Sequence, residues 1–238
     1  MTSLAFATPD PMLDTSGIVP PPSNLYSDEP TMETYAHLMQ MILLLESLEL
    51  FWKDRQDFFA AGNLTVYFSP RQLKSEHFRG PDFFVVLGTE RRPRRSWTVW
   101  DEDGRYPNVI VEILSTSTAA IDRGLKKQIY QDVFRTPDYF WFDPDTHELA
   151  GFHLVDGQYE PLSPDATGRL RSAQLGLFLA VHEDTLRLFS AEGALLPAAR
   201  ELAQQVETAE QRVETVERRS ALLAEKLREL GVDPDSLK

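Results

Sequence analysis

Apolar positions Leu38, Met41, Ile42, Leu45, Leu48 and Phe51 fall at three- and four-residue spacing and predict an amphipathic helix, with Thr31 or Glu33 able to begin it. Gly62-Asn63 is expected to end the helical region and open a run of short strands. The strand candidates are Leu64–Phe68, Asp82–Leu87, Val109–Leu114, Tyr139–Asp143 and Leu149–Leu154, then a short one near Tyr159 and Leu186–Phe189. Between Glu112 and Tyr139 one helix is expected, from about Asp122 to Phe134, stopped by Thr136-Pro137. An almost wholly apolar strand, a helix and a second aromatic-rich strand form the pattern of a crossover onto a buried sheet. The order helix, strands, helix, strands predicts an α/β or α+β domain around a central mixed sheet.

The two ends of the chain differ from this pattern. Pro9, Pro11, Pro20, Pro21, Pro22 and Pro30 punctuate a stretch with little periodicity, so the first ~30 residues are expected to form an extended or poorly ordered tail, with residues 1–24 as a proline-rich arm ahead of the domain. At the other end, Leu202, Val206, Ala209, Val213, Val216, Ser220, Leu223, Leu227 and Leu230 alternate spacings of four and three. That is a heptad seam, with Gly231 expected to close it. A globular helix usually carries a wider apolar stripe. Residues 191–238 therefore predict a coiled-coil helix joining a homodimer, rather than a helix lying on its own domain, with residues 25–190 as the folded domain. Ala209 and Ser220 make the zipper weak.

Composition narrows the chemistry. Of 238 residues 42% are hydrophobic and 26% charged, ordinary globular values. The absence of cysteine excludes disulfides, a cysteine nucleophile and thiolate metal sites. No apolar run reaches the ~18 residues of a membrane span, and the N-terminus lacks the basic start and apolar core of a signal peptide. A cytoplasmic protein with no membrane partner is expected. The net charge of −13 is uneven: residues 62–142 carry +2, and the other segments are acidic. Overall acidity opposes tight non-specific binding to a polyanion. The cluster Arg91, Arg92, Arg94 and Arg95 lies in that middle part, where the ordinary fate of such a run is a solvated loop.

Glu112 stands inside Val-Ile-Val-Glu-Ile-Leu, where alternation puts it on one face with Ile110 and Leu114. A carboxylate there loses several kcal/mol of hydration unless it is paired, for instance with an arginine, or binds a metal. Asp82 opens the preceding strand after the Gly80-Pro81 turn. Two carboxylates converging from neighbouring strands repel each other and favour a hard cation, magnesium or manganese. In the next helix Lys126 and Tyr130 share a face at i, i+4. Phosphate-loop, dinucleotide and Gly-x-Ser-x-Gly motifs are absent. The five histidines lack zinc-site spacing, and Trp97, Trp100 and Trp141 are expected in the core.

The strings GPDFFVVLG, WDEDGRYPNVIVEILSTST, DRGLKKQIY and TPDYFWFDPD resemble the Uma-type (Uma-two) endonuclease family, within the restriction-endonuclease-like PD-(D/E)XK nuclease superfamily. The resemblance covers about residues 25–190. It implies a restriction-endonuclease-like α/β fold, a mixed central sheet flanked by helices, and metal-dependent hydrolysis of nucleic-acid phosphodiesters, DNA foremost. Asp82 matches the motif aspartate and Glu112 the second acid. The superfamily lysine position holds Leu114, and Lys126 in Asp-x-x-x-Lys-x-x-x-Tyr matches the lysine moved onto the following helix. The resemblance further implies magnesium or manganese held by Asp82, Glu112 and the main-chain carbonyl of Ile113, with Glu33 and Tyr130 in support. The alternative is a fold that has lost turnover and serves as a coiled-coil scaffold or nucleic-acid adaptor.

Overall fold

Thr34 lies in extended backbone and its Oγ1 accepts the His37 amide at 3.1 Å, which starts helix α1 (Tyr35–Phe51) slightly later than Thr31 or Glu33 would. The computed structural model describes residues 34–68, 78–115, 122–230 and 234. The proline-rich arm, Glu33 and Gly231 lie outside the described residues. The helical region ends at Phe51 and not at Gly62-Asn63, because the polar run Lys53–Asp57 cannot continue a buried helical face. Beyond it, Phe58–Gly62 forms strand β1.

The strands that follow are β2 (Val66–Tyr67), β3 (Phe78–Arg79), β4 (Phe83–Leu87), β5 (Trp97–Thr98) and β6 (Val109–Ile113). Helix α2 is wound wide, as π-helix, at Asp122–Lys126 and Tyr130–Phe134 around an α-helical centre at Lys127–Ile129. Arg135, at φ 52°, ends it just before Thr136-Pro137. Then come β7 (Asp138–Asp143), β8 (Glu148–Val155), β9 (Gln158–Pro161), β10 (Leu170–Ser172), β11 (Leu177–His182), β12 (Thr185–Phe189) and helix α3 (Ala199–Glu229).

The central sheet has the order β1-β4-β6-β7-β8-β9. It is mixed: β6 and β7 run parallel across the α2 crossover, and every other pair is antiparallel. The fold is therefore α/β, as expected. Both faces of β6 are covered, which explains its unbroken apolar run. Val109 and Val111 pack with Leu44 and Leu48 of α1, with Trp52 just beyond it, and with Leu179 and Leu188 of the antiparallel sheet β10-β11-β12. Ile110 and Leu114 pack with Tyr130 and Phe134 of α2, Trp97 and Trp141. Those two tryptophans are core residues.

A buried carboxylate ties the smaller sheet to the larger one. Asp138, wholly buried at the start of β7, contacts His153 Nδ1 of β8 at 2.6 Å through Oδ1. Its Oδ2 accepts from Ser172 Oγ of β10 at 2.6 Å and from the Gln174 amide at 2.9 Å.

Half of the arginine cluster departs from the solvated-loop expectation: Arg92 and Arg95 are exposed, but Arg91 and Arg94 are structural. Arg91 pairs with Glu49 and donates to the carbonyls of Lys53 and Arg55. Arg94 is bidentate to Glu102 and lies over the rings of Phe59 and Trp97. The spacing of a charge run does not reveal that distant acids and rings will enclose it.

Among the described residues α3 is tied to the domain at its base. Glu201 receives both terminal nitrogens of Arg187, at 2.9 and 2.8 Å, and caps the Ala198 amide at 2.9 Å. Partial burial alone would raise its carboxyl, but the Arg187 and Ala198 hydrogen bonds outweigh burial and hold it below the ordinary 4.5. A depressed folded value gives stability that is complete above the ordinary value and is lost as pH falls through the folded one. Hydrogen exchange should therefore show the first turn of α3 losing protection in acid, below about pH 4.5. Glu201→Gln should expose that turn at neutral pH and flatten the acid step. Identical profiles for the two proteins would contradict this. Among the described residues no helix is long and apolar enough to cross a membrane.

Candidate active site

β6 delivers Glu112 to the α2 face of the sheet, wholly buried. Two donors from α2 offset its lost hydration: Tyr130 Oη donates to Oε1 at 2.6 Å, and Lys126 Nζ to Oε2 at 3.1 Å. Lys126 and Tyr130 thus act together on one acid, as their shared helical face suggested. The wide winding of α2 frames both residues, and such turns are frequent at functional sites. Burial first, and then the negative charge and hydrogen bond of Glu112, push the Tyr130 hydroxyl well above its ordinary 10.0, so it remains a donor at neutral pH.

Asp82 arrives from the neighbouring strand. Phe83 pairs with Val111, so one residue earlier Asp82 stands opposite Glu112. Its carbonyl accepts the Asn63 amide at 3.0 Å, and its Oδ2 accepts the Ile113 amide at 2.7 Å. Its Oδ1 lies 3.0 Å from His37 Nε2 at the start of α1. Burial alone would raise the Asp82 carboxyl. The His37 hydrogen bond and charge, the Lys126 charge and the Ile113 amide outweigh it and hold the group below its ordinary 3.8. Lys126 therefore acts on both acids, by contact with Glu112 and through its field at Asp82.

The structure brings together Asp82, Glu112, Lys126 and Tyr130, with the main chain of Ile113 entering through its amide. Leu114 is buried in the α2-side core, so the position two residues after Glu112 serves packing while a lysine comes from the helix. Lys127 points elsewhere, its Nζ 3.4 Å from the centre of the Phe152 ring. His37 was missed. Searching for zinc spacing discards it, although it heads the buried stripe His37, Met41, Leu44, Leu48 of α1. A polar side chain on such a stripe signals a buried polar partner elsewhere.

The donor set suits a hard divalent cation. Both acids offer carboxylate oxygens, the donors that hard divalent cations take. Among the described residues no group of three or more His, Asp or Glu side chains gathers as a metal cluster. Water and substrate would complete the shell of a cation such as magnesium, which usually retains several waters.

The profile of the family Uma2, described as "Putative restriction endonuclease", matches residues 29–184, more than half of the chain. An uncharacterized protein of Synechocystis sp. is 29% identical over 110 residues, which is 46% of this chain and 55% of that relative. The chain thus spans only about half the length of this curated relative. A crystal structure titled as "a putative nuclease belonging to DUF820", from Anabaena variabilis, overlaps 62% of this chain and 76% of its own at 15% identity, with a TM-score of 0.44.

Proposed function

The chain belongs to the Uma2 family of restriction-endonuclease-like proteins, and from that premise we propose that it is a divalent-metal-dependent endonuclease, with DNA as its foremost substrate. The observation that carries the reading is the convergence of Asp82, Glu112 and Lys126 from β4, β6 and α2 on one spot. A wholly buried acid facing a second acid, with one lysine serving both, is a costly arrangement for packing alone.

Asp82, Glu112 and the Ile113 carbonyl would hold magnesium or manganese. When bound, such an ion supplies activation of a water and stabilisation of charge on a phosphoryl oxygen. Lys126 orients or deprotonates the attacking water and offsets negative charge in the transition state. Tyr130 fixes one oxygen of Glu112, leaving Lys126 on the other. His37 and the Ile113 amide orient Asp82. Glu33 would support a second ion. The exposed seam of α3 supports a homodimer.

Lys126 separates metal binding from turnover. Lys126→Ala should keep the rise in melting temperature that manganese gives by mass action and lose roughly 10² in cleavage rate. Lys126→Arg should recover little if the lysine exchanges a proton. Manganese titration by calorimetry, run beside plasmid cleavage, reads both quantities. Cleavage by Lys126→Ala at the wild-type rate would overturn the assignment.

A further inference from the structure

Among the described residues the apolar seam of α3 stays largely open beyond its first turn: Val206, Val213, Val216, Leu223 and, at its C-cap, Leu230 are each more than half exposed. We propose that this seam pairs with the same helix of a second copy of the chain as a parallel, in-register, two-stranded coil. The orientation rests on the homodimer reading above and is independent of nuclease activity.

The seam defines the heptad frame. Val206, Val213, Ser220 and Leu227 take the a positions, and Leu202, Ala209, Val216, Leu223 and Leu230 the d positions. Valine fills two of the four a positions and leucine three of the five d positions, the composition that leans toward two strands over three or four. The flanking positions then decide direction. The g positions are Gln205, Arg212, Arg219 and Lys226, none acidic; the e positions are Ala203, Glu210, Glu217 and Ala224, none basic.

In a parallel pair each g residue meets the e residue five positions later on the partner. Arg212 then faces Glu217, and Gln205 faces Glu210, twice each by symmetry. In an antiparallel pair g faces g and e faces e, which in the fully overlapped register sets arginine against arginine and Glu210 against Glu217. The charge pattern therefore admits the parallel coil and opposes the antiparallel one.

Direction has a geometric consequence. The helix is 31 residues long, about 46 Å at 1.5 Å per residue, and its N-terminal turn is the end fixed to the domain by Arg187 and Glu201. Parallel pairing gathers both domains at one end of the coil. Antiparallel pairing would separate the anchored ends by about the helix length.

The cysteine-free chain makes the test direct. Val206→Cys and Leu223→Cys are prepared singly in the full-length protein, mixed, allowed to exchange subunits and bridged with a short bis-maleimide. Mass spectrometry should find 206–206 and 223–223 bridges and no 206–223 bridge. In parallel, Arg212→Glu should weaken the dimer about tenfold, since two symmetric attractions become repulsions. Arg212→Glu combined with Glu217→Arg should restore it. A 206–223 bridge, or unchanged association in Arg212→Glu, overturns the parallel orientation while leaving the dimer. Sedimentation of the wild-type protein as a monomer at tens of micromolar overturns the dimer itself, and the orientation with it.

Discussion

Glu112→Gln is expected to lower metal-dependent cleavage by about 10³-fold or more while the protein stays folded. The substitution keeps the shape of a wholly buried side chain and withdraws its charge. The hydrogen bonds can be rearranged: the amide oxygen accepts from Lys126, and the Tyr130 hydroxyl turns to accept from the amide nitrogen, replacing the present contacts at 3.1 and 2.6 Å. Circular dichroism and melting should therefore report a native fold, and manganese should no longer raise the melting temperature as it does in the wild type. Single-turnover cleavage with a saturating metal reads the rate. A Gln variant that cuts at the wild-type rate would remove Glu112 from the chemistry.

The largest effect on stability is expected at the other end of β6 and β7. Asp138→Ala strips the shared acceptor from His153, Ser172 and the Gln174 amide, leaving buried donors without it where the small sheet meets the central one. A buried donor left without its acceptor costs about 1–3 kcal/mol, and here several donors share the one that is lost. Asp138→Asn should cost less, because one oxygen remains and the Ser172 hydroxyl can reverse to accept. Urea unfolding of the three proteins checks the order. A loss below about 1 kcal/mol in Asp138→Ala, the size of an ordinary surface effect, would show that the network does not lock the two sheets.

Much of the central sheet was legible because its strands are unusually apolar. Val109–Ile113 and Tyr139–Asp143 admit no amphipathic helix, and the crossover between them predicted their parallel pairing, which the register shows. β1 was hidden. Phe58–Gly62 contains two alanines and reads as the tail of a helix, yet it pairs along its length with β4. β10 and β11 were missed for other reasons: Leu170–Ser172 is only three residues long, and Leu177–His182 is five apolar residues and a histidine, with no apolar–polar alternation to mark it.

In the site, the acids could be read from their cost. A carboxylate in an apolar strand demands an explanation, so Glu112 led directly to Asp82 and to the helix bearing Lys126 and Tyr130. His37 could not be found that way. Its contact with Asp82 spans a long stretch of chain, and no local spacing encodes the meeting of the start of α1 with the mouth of β4. Arg94 shows the same limit in reverse. Its neighbours in sequence are charged, and its partners in space are Glu102 and two aromatic rings.

The nuclease reading stands on turnover, and supercoiled plasmid measures turnover without knowledge of a target sequence. Purified full-length protein incubated with plasmid and magnesium or manganese should convert it to nicked and linear forms, and excess chelator should stop the conversion completely. Conversion that continues in excess chelator, or intact plasmid at every concentration of either metal, would contradict a metal-dependent endonuclease.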